Sequence, residues 1–157
     1  MTVEIRGEKL SGAQKLVDAP ITDAVGFLLA KLHAAGSVLN NQALADFGLK
    51  ERSYSVLVLA NSGLEPTQRE LADFLSLDPS QIVALVDGLE KRGLVTRAAG
   101  KSDRRAKTVT VTAAGAKLHA RASEAAARAE TETLQVLEAA EVATLKALLR
   151  KALWGRA

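Results

Sequence analysis

Between Lys91 and Lys107 the chain carries Lys91, Arg92, Arg97, Lys101, Arg104, Arg105 and Lys107 against Asp103 alone, a local charge of +6 in a protein whose net charge is +3. Cations at that density suit phosphate, because each phosphate neutralised on a nucleic acid releases condensed counterions. No comparable set serves catalysis: there is no nucleophile paired with a base, no convergent carboxylates and no phosphate-cradling glycine loop. Cysteine is absent, which removes disulfides, thiolate ligands and thiol redox chemistry. The two histidines, His33 and His119, lie far apart without an acidic partner at ligand spacing. Neither a metal centre nor a cofactor is expected, and no residue is assigned a catalytic role.

The elements that must position this basic cluster can be read from spacing. Thr67 opens a helix with Glu70 three residues on, the pattern in which each side chain satisfies the other's free backbone N–H. Leu71, Phe74 and Leu75 form its expected inner face, and Ser76-Leu77-Asp78 reads as a turn. Asp78 caps the next helix, with Pro79 at its first position and Gln81 able to close a second capping box. Ile82, Leu85, Val86 and Leu89 make the core stripe, and Gly93 ends the helix. At 100° per residue, Ser80, Ala84, Asp87 and Lys91 fall opposite that stripe, with Gln81 and Val83 on its shoulders. Asp87 would repel phosphate, so it is expected to be held by a nearby arginine. Leu94 to Arg97 and the strictly alternating Lys107 to Thr112 read as a hairpin whose loop, Ala98 to Ala106, holds much of the charge.

On either side, helices are expected. One runs from Ile21 along a stripe of Val25, Leu28, Leu29, Leu32, Ala35, Gly36 and Leu39; a second spans about Glu51 to Asn61. After the hairpin, Thr112 caps an alanine-rich helix from Ala113 to about Leu137. A last helix, about Glu141 to Leu153, turns Val142, Leu145, Leu148, Leu149 and Leu153 inward. Residues 1–20 read as a mobile arm or a short extra helix. The first and last helices carry apolar stripes that one small lobe cannot cover, which calls for a symmetric dimer. No apolar run is long enough for a bilayer and no cleavable leader is evident, so the cytoplasm is the expected compartment and no membrane partner is expected.

The segments Thr67-Gln-Arg-Glu-Leu-Ala-Asp-Phe-Leu, Pro79-Ser-Gln-Ile, Leu85-Val-Asp-Gly-Leu-Glu-Lys-Arg-Gly-Leu-Val95 and Asp103-Arg-Arg-Ala-Lys-Thr-Val-Thr-Val-Thr-Ala-Ala-Gly115 resemble the MarR family of bacterial regulators, over about Ile21 to Leu153. The resemblance implies a mainly α fold with a small β-hairpin wing: a winged helix-turn-helix over residues 49–112, flanked by dimerisation helices over 21–48 and 113–157. It implies a repressor that binds a pseudo-palindromic operator in double-stranded DNA as a homodimer and is released by a small aromatic or phenolic anion. Carried over by position, Ser80, Gln81 and Val83 face bases, Arg104 or Arg105 enters the minor groove, and Asp103 braces the wing through an arginine. Together with the basic cluster, this gives Ser80, Gln81, Val83, Ala84, Lys91, Arg97, Lys101, Arg104, Arg105 and Lys107 as the DNA-facing set. The family often has an arginine or polar residue where Val83 and Ala84 stand, so the reading face is thin.

For a ligand, His33, Arg52 and Tyr54 could line a cleft between the dimer helices and the reading lobe; each also has a plainer role, as a surface or interface histidine, a solvated cation and a half-buried packing tyrosine. His119 reads as a dimer-helix side chain and Trp154 as an anchor for the last helix. The alternative to a regulator is a winged-helix module that works through protein contacts with little sequence-specific DNA binding.

Overall fold

A computed structural model describes residues 16–99 and 107–155. Most of the arm expected over residues 1–20 therefore lies outside the described residues. The chain divides into two units, up to Ala35 and from Gly36 onward. In the first, a 3-10 turn, Pro20–Asp23, precedes the start of helix α1, Val25–Ala45. The expected helical start at Ile21 is thus delayed to Val25, because Pro20 opens a tight turn whose Thr22 hydroxyl donates to Ala19 O at 2.6 Å. Val25, Leu28, Leu29 and Leu32 are exposed.

The second unit contains the end of α1, then α2 (Glu51–Ala60), α3 (Gln68–Leu75), α4 (Pro79–Lys91), strands β1 (Val95–Ala99) and β2 (Lys107–Val111), α5 (Ala113–Thr133) and α6 (Ala139–Trp154). One core joins these elements apart from α6: Leu44 and Leu49 from the α1–α2 corner, Val56, Leu57 and Ala60 from α2, Leu71 and Ala72 from α3, Ile82, Val86 and Leu89 from α4, Leu94, Val95 and Val109 from the hairpin, and Ala122 from α5. Each large aliphatic side chain removed from water here contributes about 1.5–3 kcal/mol. Gly36 lies 3.2 Å, measured from an ideal Cβ, from the Thr133 methyl, so α1 approaches α5 closely there.

Local chemistry sets the boundaries. Thr67 Oγ1 accepts the Glu70 N–H at 3.2 Å while Glu70 Oε2 accepts the Thr67 N–H at 2.7 Å, so both halves of the expected box form. Ser76 adopts φ +52°, a left-handed conformation, and the Leu77 N–H returns to Ala72 O at 3.0 Å, which closes α3. At α4, Gln81 Oε1 accepts the Asp78 N–H at 3.3 Å, but the Asp78 carboxylate makes no capping bond. Gly93, at φ +68°, ends α4 and turns the chain into β1. The strands pair antiparallel with Val95 opposite Val111, Arg97 opposite Val109 and Ala99 opposite Lys107. β1 therefore extends two residues into the expected loop. A third short segment joins them: Thr67 bridges Thr108, and the Val109 N–H donates to Pro66 O at 2.8 Å. Thr112 Oγ1 accepts the Gly115 N–H at 3.0 Å, capping α5 as its sequence position implies.

Other expectations differ from the structure. α5 stops at Thr133, and α6 begins at Ala139, before the expected Glu141. Phe74 is not on the inner face of α3 but 62% exposed, its ring stacked with Trp154 at 6.4 Å between centroids; Leu71 and Ala72 occupy the core instead. On α6, Leu148 and Leu153 are exposed rather than turned inward, and no residue of that helix is buried. Trp154 is itself 57% exposed, with the Arg150 guanidinium 5.5 Å from its ring centre.

Candidate nucleic-acid interface

The helix-turn-helix is formed by α3, the turn at residues 76–78, and α4. Burial of Ile82, Val86 and Leu89 fixes the rotation of α4 about its axis, and this leaves Ser80, Gln81, Val83, Ala84, Asp87, Gly88 and Lys91 exposed along the other side. Ser80 and Gln81 lie in the first turn, where the positive end of the helix dipole favours an anion. Lys91 is in the last turn, and its charge offsets the opposite end of the same dipole. Polar donors are sparse between these ends, since Val83, Ala84 and Gly88 offer only apolar surface and backbone.

The hairpin is tied to α4 by one side chain. Arg97, on β1, donates from Nε to Gln68 Oε1 at 2.8 Å, from Nη1 to Glu90 Oε2, and from Nη2 to Asp87 Oδ1 at 2.5 Å. Its backbone N–H also donates to Glu90 Oε1 at 3.0 Å. The side chain is 19% exposed. Burial disfavours its charge, but the hydrogen bonds and field of Asp87 and Glu90 outweigh that penalty, so its pKa is raised above the ordinary arginine value. The arginine expected to hold Asp87 is therefore Arg97, and three elements, α3, α4 and β1, converge on it. Arg97 itself was expected to face DNA; all three of its guanidinium nitrogens bond within the protein.

Lys107 is exposed at the start of β2. Lys101, Asp103, Arg104 and Arg105, with most of the expected wing loop, lie outside the described residues. Sequence reasoning did not find Gln68 or Glu90, because both contacts arise only when α3 and the hairpin pack on α4. It also missed the place of Arg92, which bonds to the corner after α1 rather than extending the outward face of α4.

The candidate ligand residues are carried by α1 and α2. His33 belongs to the N-terminal unit and is exposed; Arg52 is exposed at the start of α2. Tyr54 is half-buried and stacks on His119 of α5 at 6.3 Å between centroids and 11° between planes. Burial raises its hydroxyl pKa. His119 Nδ1 lies 3.2 Å from Asn61 Nδ2. Tyr54, Asn61 and His119 thus join α2 to α5. Among the described residues no group of acidic and histidine side chains is arranged to hold a metal ion, and no helix is long and apolar enough to cross a membrane.

Comparison with known proteins gives a match to the model of the MarR family over residues 49–107. A transcriptional regulator (MarR family) from Rhodococcus sp. RHA1 is similar at 36% identity, covering 88% of this chain and 99% of that one, with a TM-score of 0.80. CouR from Rhodococcus jostii RHA1, whose structure holds p-coumaroyl-CoA, is similar at 38% identity over 87% of this chain and 96% of its own, with a TM-score of 0.79. A MarR family protein of Mycobacterium tuberculosis in complex with p-aminosalicylic acid matches at 27% identity over 82% of this chain and 98% of its own, with a TM-score of 0.70.

Proposed function

The chain belongs to the MarR family of transcriptional regulators, and from that membership we propose that it is a repressor that binds an inverted-repeat operator as a homodimer. The observation that carries this reading is the coupling of an exposed helix face to a basic hairpin. The face running from Ser80 to Lys91 is turned outward by its buried opposite side, and Arg97 holds the hairpin against the same helix. A single helix fits the major groove, and a flanking basic ribbon suits the minor groove.

In this reading Ser80, Gln81, Val83 and Ala84 meet base edges, and Lys91, Lys101, Arg104, Arg105 and Lys107 meet phosphate or the minor groove. Arg97 positions the wing. Residues 21–48 and 113–157 supply the dimer, which accounts for the exposed Leu148 and Leu153. Two reading heads related by a two-fold axis would meet half-sites about 34 Å apart. A small aromatic anion, free or as its thioester, releases the DNA; the p-coumaroyl-CoA and p-aminosalicylic acid held by two relatives support that class. Tyr54 and Arg52 are its proposed contacts, with His33 a third.

The test is selection of a duplex from a random pool, followed by titration at several salt concentrations. Binding should fall steeply with salt, by about one power of concentration per phosphate contact, and should weaken when Arg104 and Arg105 become alanine. Addition of p-coumaroyl-CoA or p-aminosalicylate should release the duplex. A monomer in dilute solution, or no affinity for any duplex at low ionic strength, overturns the proposal. The latter result would favour a protein-interaction module, a reading that the scarcity of polar side chains between Gln81 and Asp87 supports.

A further inference from the structure

We infer that Arg92, although it sits in the basic run beside the reading helix, is a positioning residue that seats the C-terminal end of α4 on the corner between α1 and α2. Its Nη1 donates to Gly48 O at 2.6 Å and its Nη2 to Phe47 O at 2.7 Å. Both carbonyls lie just past the end of α1, where the helix dipole is negative and a cation is favoured. The planar guanidinium fork matches two neighbouring carbonyls in a way that an ammonium cannot.

The corner is built to receive it. The Phe47, Gly48 and Leu49 N–H groups turn back to Leu44 O, Ala45 O and Leu44 O at 3.1, 2.8 and 3.2 Å, which leaves the carbonyls of Phe47 and Gly48 for Arg92. Gly48 has φ +61°, and a Cβ there would lie 3.3 Å from Arg92 Nη2. Glycine thus suits the left-handed turn, and a side chain there would crowd the guanidinium by a few tenths of an ångström. On the same corner, the Arg121 guanidinium of α5 lies 5.4 Å from the centre of the Phe47 ring. Three helices, α1, α4 and α5, therefore meet at Phe47-Gly48. Since α4 carries the exposed reading face and Gly93 immediately follows Arg92, the corner sets where both the helix and the hairpin point.

This inference rests on the proposed DNA-binding role for its affinity readout, and a second readout stands without it. In the full chain, Arg92→Ala, Arg92→Lys, Gly48→Ala and Lys91→Ala are titrated against the duplex selected by the wild type and against a random duplex of equal length, over a range of salt. Loss of a phosphate contact lowers the salt slope by about one and is largely restored by lysine. Loss of a seat leaves the slope unchanged and is not restored by lysine. The expected result is a loss of about tenfold in affinity for the selected duplex in Arg92→Ala and Arg92→Lys, at wild-type slope, with Lys91→Ala alone reducing the slope. Gly48→Ala should reproduce the loss without any change of charge; where it fails to fold, the Arg92 pair decides. An Arg92→Lys variant that binds like the wild type, or an Arg92→Ala slope reduced like that of Lys91→Ala, overturns the assignment. Amide exchange in the DNA-free protein reads the same seat. Arg92→Ala should lose protection at Gly48, Leu49 and Leu94, and unchanged protection there overturns the inference. If the wild type binds no duplex, the DNA reading fails while the exchange result still decides the seat.

Discussion

Replacing Arg97 by alanine removes three side-chain hydrogen bonds at once, to Gln68, Glu90 and Asp87. Asp87 is 60% exposed and Glu90 38%, so water screens both ion pairs and each contributes only about 0.2–1 kcal/mol. The bond to Gln68 adds about 1 kcal/mol, while the backbone bond from residue 97 to Glu90 survives the substitution. The expected loss is therefore about 2 kcal/mol, which for a chain of this length lowers Tm by about 4–8 °C. Urea unfolding followed by circular dichroism at fixed protein concentration should show a lower midpoint with an unchanged m-value. Arg97→Lys should recover little, because one ammonium cannot address three acceptors on two helices. The substitution also uncovers the Asp87 carboxylate on the outward face of α4, so duplex binding should weaken, and Arg97→Ala/Asp87→Asn should bind more tightly than Arg97→Ala. A Tm within about 1 °C of wild type, full recovery by lysine, or a double variant no better than the single would each refute the clamp.

The Glu70 carboxyl is held below its usual range, first by the Thr67 backbone N–H and then by the Thr67 hydroxyl. A folded pKa below the unfolded one gives stability that is present at neutral pH and disappears as pH falls through the lowered value. Glu70→Gln should thus be destabilising at pH 7 and the gap from wild type should close in acid; a gap that widens toward acid contradicts this. At Gly115 a Cβ would lie 1.9 Å from Leu94 O, and the Gly115→Ala variant should lose about 3 kcal/mol in denaturant titration, whereas near-wild-type stability would mean that the hairpin base can shift. A Cβ on Gly88 meets no atom within 4 Å, so Gly88→Ala should gain about 1 kcal/mol from helix propensity, a gain that thermal melting can detect. If α4 lies close against a duplex, the same variant should bind it less tightly than wild type.

The helix-turn-helix is legible in residue order and spacing because its signals are local. The Thr67–Glu70 box, Pro79 after Asp78, Gly93 at the end of α4, the alternation from Lys107 and the Thr112 cap each depend on atoms within a turn or along one strand. Residue type also suffices to set aside thiol chemistry. The fate of each arginine cannot be read that way. Arg97 takes a partner 29 residues earlier and Arg92 partners 44 and 45 residues earlier, and an arginine's charge is the same whether it meets phosphate, carboxylate or a helix-end carbonyl. Phe74 shows the same limit: helical spacing suggests an inner face, yet Leu71 and Ala72 fill the core and Phe74 stacks on Trp154, 80 residues away. Periodicity and capping are decided by hydrogen bonds that close within a few residues. The choice among acceptors is decided by packing, because burial of the apolar stripes sets how α1, α3, α4 and the hairpin are rotated, and that rotation determines which carboxylates and carbonyls come within reach of a given side chain.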